Sequence, residues 1–98
     1  MVKVKNIKEF DEEFKDIEEY VPMTDVEGKR IIIYGYEERD GNFGTYIAID
    51  CEDHKEGKRL IVSTGSRRVM LKLSKLKKID AFPVICTVVR KGQKYDII

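Results

Sequence analysis

Flat side chains and cations recur along the sequence in a way that suits contact with an unpaired nucleic-acid strand. Tyr34, Tyr36, Phe43 and Tyr46 fall in one short stretch with Arg39, and Arg59, Arg67, Arg90, Lys91 and Lys94 follow in the second half. Bases stack on aromatic rings, each stack worth about 1–3 kcal/mol, while a basic groove tracks the phosphates. Tyr36 and Tyr46 lead among the aromatics: each alternates with Ile residues that read as buried, and a hydroxyl makes exposure inexpensive. Taken singly, each residue has an ordinary explanation. Phe43 and the tyrosines could be turn or core packing, and a lone Lys or Arg is normally a solvated surface residue.

The charge distribution speaks for the collective reading. The 98 residues carry a formal net charge of +1. Residues 1–57 hold eight basic against sixteen acidic side chains, a net of −8, and residues 58–98 hold eleven against two, a net of +9. An acidic front and a basic back in one chain point to an anionic partner for the back. In the front, Glu37, Glu38 and Asp40 lie beside the candidate tyrosines and predict only moderate affinity for a polyanion.

A reaction centre is not assembled anywhere in the sequence. His54 stands between Asp53 and Lys55 in a charged turn, with no second His and no Ser or Cys nucleophile motif. Asp50, Glu52 and Asp53 lack the spacing of a calcium loop. The glycines punctuate turns, and no phosphate-cradling GxxxxGK[ST] run is present. No catalytic residue, metal or cofactor is therefore expected. Cys51 and Cys86 sit in apolar runs without a CxxC pattern and read as reduced core thiols. No apolar stretch approaches the ~18 residues that span a bilayer, and the opening Met1-Val2-Lys3-Val4-Lys5 lacks the apolar region of a signal peptide. The expectation is a cytoplasmic protein without a membrane partner.

The candidate residues need elements to position them. Asn6 with Glu9 predicts a capped helix, and Ile7, Phe10, Phe14, Ile17 and Val21 recur at helical steps until Pro22. Residues 29–36 read as a first strand with Gly35 as a bend or bulge. A turn-rich loop over 37–44 leads to a strand at 45–51, in which Ile47, Ile49 and Cys51 oppose Tyr46, Ala48 and Asp50. A third strand at 58–64 sets Leu60, Val62 and Thr64 against Arg59, Ile61 and Ser63. Ser66 caps a helix from Arg67 to about Ile79 with Val69, Met70, Leu73 and Leu76 as its buried stripe; Arg68, Lys72, Lys75 and Lys78 read as its solvated, solubilising face. Strands at 82–89 and 94–98, joined through Lys91-Gly92, complete the order helix, then β-β-β-α-β-β.

That order predicts a mainly β, α+β domain: a five-stranded oligonucleotide-binding (OB) Greek-key barrel over 23–98, plugged by the internal helix, with an added amphipathic helix in 1–22. An open-sheet α+β sandwich is the competing architecture. The wording of the sequence adds to this. Tyr34-Gly35-Tyr36-Glu37-Glu38-Arg39-Asp40-Gly41-Asn42-Phe43-Gly44-Thr45-Tyr46, Ser63-Thr64-Gly65-Ser66, Phe82-Pro83-Val84 and Lys91-Gly92-Gln93-Lys94-Tyr95 resemble small OB-fold single-stranded DNA-binding proteins of phages and prokaryotes. The resemblance covers about two-thirds of the chain and implies a non-enzymatic binder of single-stranded DNA serving replication, recombination or repair. The chain departs from the better-known bacterial members in having no Trp and no acidic tail. RNA is the alternative ligand, since 2′-hydroxyl sensing depends on cleft geometry. In the contact set, Tyr34, Tyr36, Phe43 and Tyr46 stack bases, while Arg39, Arg59, Arg90, Lys91 and Lys94, with Arg67 near the third strand's exit, hold phosphates. The acidic first helix is expected to solubilise, to make a homo-oligomer contact, or to compete with DNA for the basic half. A protein-interaction or assembly module is the alternative of another class.

Overall fold

A computed structural model describes residues 3–10 and 19–98. Six strands form one sheet: β1 (Glu19–Pro22), β2 (Arg30–Gly41), β3 (Gly44–Asp53), β4 (Arg59–Thr64), β5 (Val84–Lys91) and β6 (Lys94–Ile97), with helix α1 (Arg67–Lys78) between β4 and β5. The order across the sheet is β1-β4-β3-β2-β5-β6. β1 runs parallel to β4, and every other neighbour is antiparallel. β5 changes partner along its length, pairing Val84–Thr87 with β2 and Val88–Lys91 with β6. The fold is mainly β, and the sheet curls into a half barrel.

The inner surface of the curl is the core. Ile31 and Ile33 of β2, Ile47, Ile49 and Cys51 of β3, and Leu60 and Val62 of β4 meet Val88, Ile97, Met23 and Val26 there, with Val69 and Leu73 of α1 closing over them. The alternation read in the second and third strands holds, since Ile49 pairs Val62 and Cys51 pairs Leu60 on this side. α1 begins where expected: the Ser66 hydroxyl accepts from the Val69 amide and donates to the Tyr95 carbonyl at 2.8 Å, tying the helix start to β6. It ends with Asp80 in the left-handed region (φ 51°), the Asp80 amide donating to Lys77 and the Ala81 amide to Leu76. No helix among the described residues is long and apolar enough to cross a membrane.

Three expectations are corrected. The first helix was to run to Val21, yet Ile7–Phe10 is a single 3-10 turn and Glu19–Pro22 is a strand; positions 11–18, with Phe14 and Ile17, lie outside the described residues. Tyr20 and Val21 favour extended backbone, and an edge strand tolerates Pro22. This sixth strand takes the free edge of β4, so the sheet is not a five-stranded barrel. The supposed loop 37–44 is mostly strand: Glu37 to Gly41 pair with β3 as far as Gly44, leaving only Asn42 and Phe43 to turn the hairpin. The charged residues there hid the pairing because each faces water from a two-stranded arm.

Candidate nucleic-acid interface

The outer surface of β3 and β4 carries two of the predicted residues, Tyr46 and Arg59, with Arg39 and Tyr34 of β2 beside them. The pairing register sets Ala48 opposite Ser63, Asp50 opposite Ile61 and Glu52 opposite Arg59, with Tyr46 farther along β3, and extends the face to Arg39 and Glu37 of β2. β1 adds Tyr20 opposite Ile61. Two depressions lie on this face and share Arg39, Ala48 and Ile61. One, of about 480 Å³, also takes in Tyr20, Tyr46 and Ser63; the other, of about 260 Å³, takes in Gly35, Tyr36, Glu37 and Asp50. Ile61 and Ala48 give an apolar floor, with the rings of Tyr20 and Tyr46 and the Arg39 guanidinium at the edges.

The β2 bulge decides which tyrosines belong. The register shifts between Ile33 and Gly35, so Ile33 pairs Cys51 whereas Gly35 pairs Asp50 and Tyr36 pairs Ile49. The bulged residue is Tyr34, and beyond it every side chain changes face. Tyr36 therefore does not join Tyr46. It packs on the core side, edge-on to Phe82 with ring centroids 6.3 Å apart, and the Lys77 ammonium lies over its ring. Simple alternation from Ile33 put Tyr36 on the outside, which is corrected here. Glu38 and Asp40 move with it to the inner side, opposite Ile47 and Thr45, leaving Glu37 as the one of the three expected carboxylates on the outer face.

Tyr34 is half-exposed, with the Arg59 guanidinium 4.3 Å above its ring. Arg59 also donates to Asp50 Oδ1 at 2.6 Å. Arg39 donates to Glu37 at 3.2 Å, and the hydrogen bond and charge of Glu37, with a smaller contribution from the Tyr20 hydroxyl, hold its guanidinium above its ordinary pKa. Both arginines are thus fixed cations, each beside a carboxylate and a ring. Tyr46 lies close against Gly41, where a Cβ would sit 3.2 Å from its Cε1, so the glycine lets the ring lie flat on the hairpin. Phe43 stands fully exposed at the tip (105%) with no core role.

The face continues over Ser63, Thr64 and Gly65 into a cleft of about 590 Å³ between the start of α1 and the β5–β6 hairpin. Arg67, Arg68, Gln93, Lys94 and Tyr95 line it. Arg67 and Lys94 are thereby brought to the end of the outer face, while Arg90 and Lys91 line none of these depressions. The Arg90 guanidinium donates to the Gly92 carbonyl, and Lys91 turns 3.5 Å from Asp96.

Asp96 is almost wholly buried and organises the cations behind the cleft. Its carboxylate accepts from Lys72 at 2.8 Å, Arg68 at 3.1 Å and the Ile97 amide at 2.8 Å. Burial pushes its pKa up, but the hydrogen bonds from Lys72, Ile97 and Arg68 outweigh that and hold the group well below the ordinary carboxylate range. Arg68, Lys75 and Lys78 are exposed as the solvated stripe requires, but Lys72 is half-buried and, with Arg68, ties α1 to β6 through Asp96, the second acidic residue of the basic half. Asp53 is a local analogue: hydrogen bonds from the Glu56 amide, ahead of that from Lys55, hold its pKa low and shape the β3–β4 turn carrying the exposed His54. No group of metal-binding side chains is found among the described residues. Cys51 and Cys86 are buried free thiols, pushed up to about 12 and about 11 by burial.

Sequence reasoning missed Tyr20, Ile61, Gln93 and Arg68. Ile61 was legible, since it alternates with Arg59 and Ser63. Tyr20 was hidden by the assumed helix.

The sequence profile of a domain of unknown function, DUF8468, matches residues 17–98. The chain belongs to the DUF8468 family. No curated protein and no solved structure matches it. The DUF8468 segment begins two residues before β1, so it carries the whole outer face from Tyr20 to Ser63, the cleft and the Asp96 cluster. Residues 1–16, with the start of the acidic amphipathic pattern, lie ahead of the DUF8468 match.

Proposed function

We propose that this DUF8468 chain binds single-stranded nucleic acid, DNA in the first instance, with little sequence preference, on the outer face of β3 and β4. The observation that carries the reading is the convergence of Tyr20, Tyr46 and Arg39 around an apolar floor of Ala48 and Ile61, with Arg59 stacked on Tyr34 farther along the same face. Rings accept bases of any identity, and the guanidinium groups take the phosphates. Phe43 extends the stacking surface along the hairpin, and Arg67 and Lys94 receive the strand where it leaves the face. Arg90 and Lys91 add to the field without lining the path.

The architecture supports the same reading. Strands β2 to β6 with α1 between β4 and β5 repeat the expected β-β-β-α-β-β order, and β3 and β4 then correspond to the second and third strands of an OB fold, whose face binds oligonucleotides. On this proposal the domain is an OB-type half barrel with an extra edge strand, related to small single-stranded DNA-binding proteins, non-enzymatic, and active in the cytoplasm in replication, recombination or repair. The test is a fluorescence-anisotropy titration of labelled oligo-dT at low and high salt. Tight binding at low salt that weakens steeply with added salt supports the proposal, and no binding at low salt removes it.

A further inference from the structure

A second surface, away from the β3–β4 face, is not used by the proposed function. Leu76 of α1 and Ile79 just past its end, Val84 and Ile85 from β5 and Ile98 line a groove of about 320 Å³, with Lys72 and Lys75 on its rim. Over a buried floor of Cys86 and Ile97, three of its apolar residues are exposed: Ile79 73%, Ile98 66% and Ile85 43%. Contiguous exposed aliphatic surface of this kind marks an interaction site. The rim carries no carboxylate, and Lys77 and Lys78 follow on the same helix end.

The sequence contains a segment of the opposite character. Val4, Ile7, Phe10, Phe14 and Ile17 recur at steps of three and four, and Glu9, Asp11, Glu12, Glu13 and Asp16 stand between them. In the described part of this segment the side chains of Val4 and Ile7 are 91% and 69% exposed. An acidic amphipathic segment and an apolar groove rimmed by lysines are complementary in both hydrophobicity and charge. We infer that the groove of one copy receives the segment of residues 4–17 from a second copy, with Ile7 and its apolar successors on Ile79, Ile85 and Ile98 and the carboxylates on Lys72 and Lys75. The contact joins two different patches, so it links copies by reciprocal exchange of segments or head to tail, and it does not use the β3–β4 face.

The experiment is sedimentation velocity of the full chain over a rising concentration series at low salt, without nucleic acid. The average mass is expected to grow with concentration. Ile85→Glu should raise the concentration needed by about tenfold or more, because one aliphatic contact is lost and a charge is buried. Ile79→Glu, at a more exposed position, reports the same loss if Ile85→Glu does not fold. Glu12→Lys with Glu13→Lys should weaken association similarly, and adding Lys75→Glu to that pair should recover part of it. A monomer at every concentration overturns the inference. So does association that ignores both groove variants, or that responds to Ile85→Glu but not to the Glu12/Glu13 reversal, which would mean two grooves facing each other.

Discussion

Replacing Asp50 with Asn is expected to tighten the hold of the β3–β4 face on a single strand, although it removes an ion pair. Asp50 Oδ1 is 2.6 Å from Arg59 Nη2, and both side chains are nearly half exposed. A phosphate drawn to Arg59 would sit roughly 6 Å from the carboxylate, where two like charges repel by about 0.7–2.8 kcal/mol for effective dielectric constants between 80 and 20. Screening over a Debye length of about 8–10 Å roughly halves that. The remaining 0.4–1.4 kcal/mol or so corresponds to about a two- to tenfold gain in affinity. The ion pair itself, exposed as it is, contributes about 0–1 kcal/mol to stability, so the variant should fold normally. Anisotropy titrations of labelled oligo-dT across a salt series would show the tighter binding and a log K against log salt slope steeper by up to about 0.7. Unchanged or weaker binding by a folded Asp50→Asn variant would falsify the placement of phosphates at Arg59.

Other expectations follow from the same geometry. Tyr46→Ala should weaken binding by about 1–3 kcal/mol, whereas Tyr36→Ala should leave affinity within about twofold and lower thermal stability instead by about 1–3 kcal/mol, because its ring packs against Phe82; equal binding losses in the two would mean that the bulge does not sort the tyrosines. Lys72→Met should cost about 2–4 kcal/mol of stability by stranding the buried Asp96 carboxylate, against less than about 1 kcal/mol for Arg68→Ala or Lys91→Ala, whose charges are mostly exposed. Since the folded-state pKa of Asp96 is depressed, its stabilisation is complete above the ordinary carboxylate value of about 3.9 and fades as the pH falls below it. Denaturant unfolding at stepwise lower pH should show that decline, and Lys72→Met should make it shallower. Cys51 and Cys86 should react with a thiol reagent only as fast as the protein unfolds; rapid modification of the native chain would contradict their burial.

How much of this was legible in the sequence depended on whether the deciding interaction was local. Ser66 as a cap, the buried stripe of Val69 and Leu73, and the alternation of Ile47, Ile49 and Cys51 against Tyr46 and Asp50 are periodic signals, and the structure repeats them. Gly35 could be read as a bulge, but not which residue the bulge would turn out; that depends on β3 pairing Cys51 with Ile33 and Asp50 with Gly35. The consequence propagated two residues on and exchanged the faces of Tyr36, Glu38 and Asp40. β1 was unreadable for a related reason. Glu19-Tyr20-Val21-Pro22 continues a helical apolar spacing, and only the open edge of β4 makes a strand of it. The Asp96 cluster joins residue 96 of β6 to 68 and 72 of α1 and to 91 of β5, so charge counting could register the basic excess but not that one buried carboxylate gathers three of its cations.

The central claim is that a single strand lies on the outer face of β3 and β4, and amide NMR mapping tests it most directly. The 15N-labelled full chain would be titrated at low salt with an oligo-dT of about ten nucleotides, within the usual span of such a face. The account predicts shifts concentrated at Tyr20, Arg39, Tyr46, Ala48, Ile61 and Ser63, trailing through Gly65 to Arg67 and Lys94, with Ile79 and Ile85 unmoved. Shifts confined to the lysines of α1 and the groove beside them, or none at all, would contradict it.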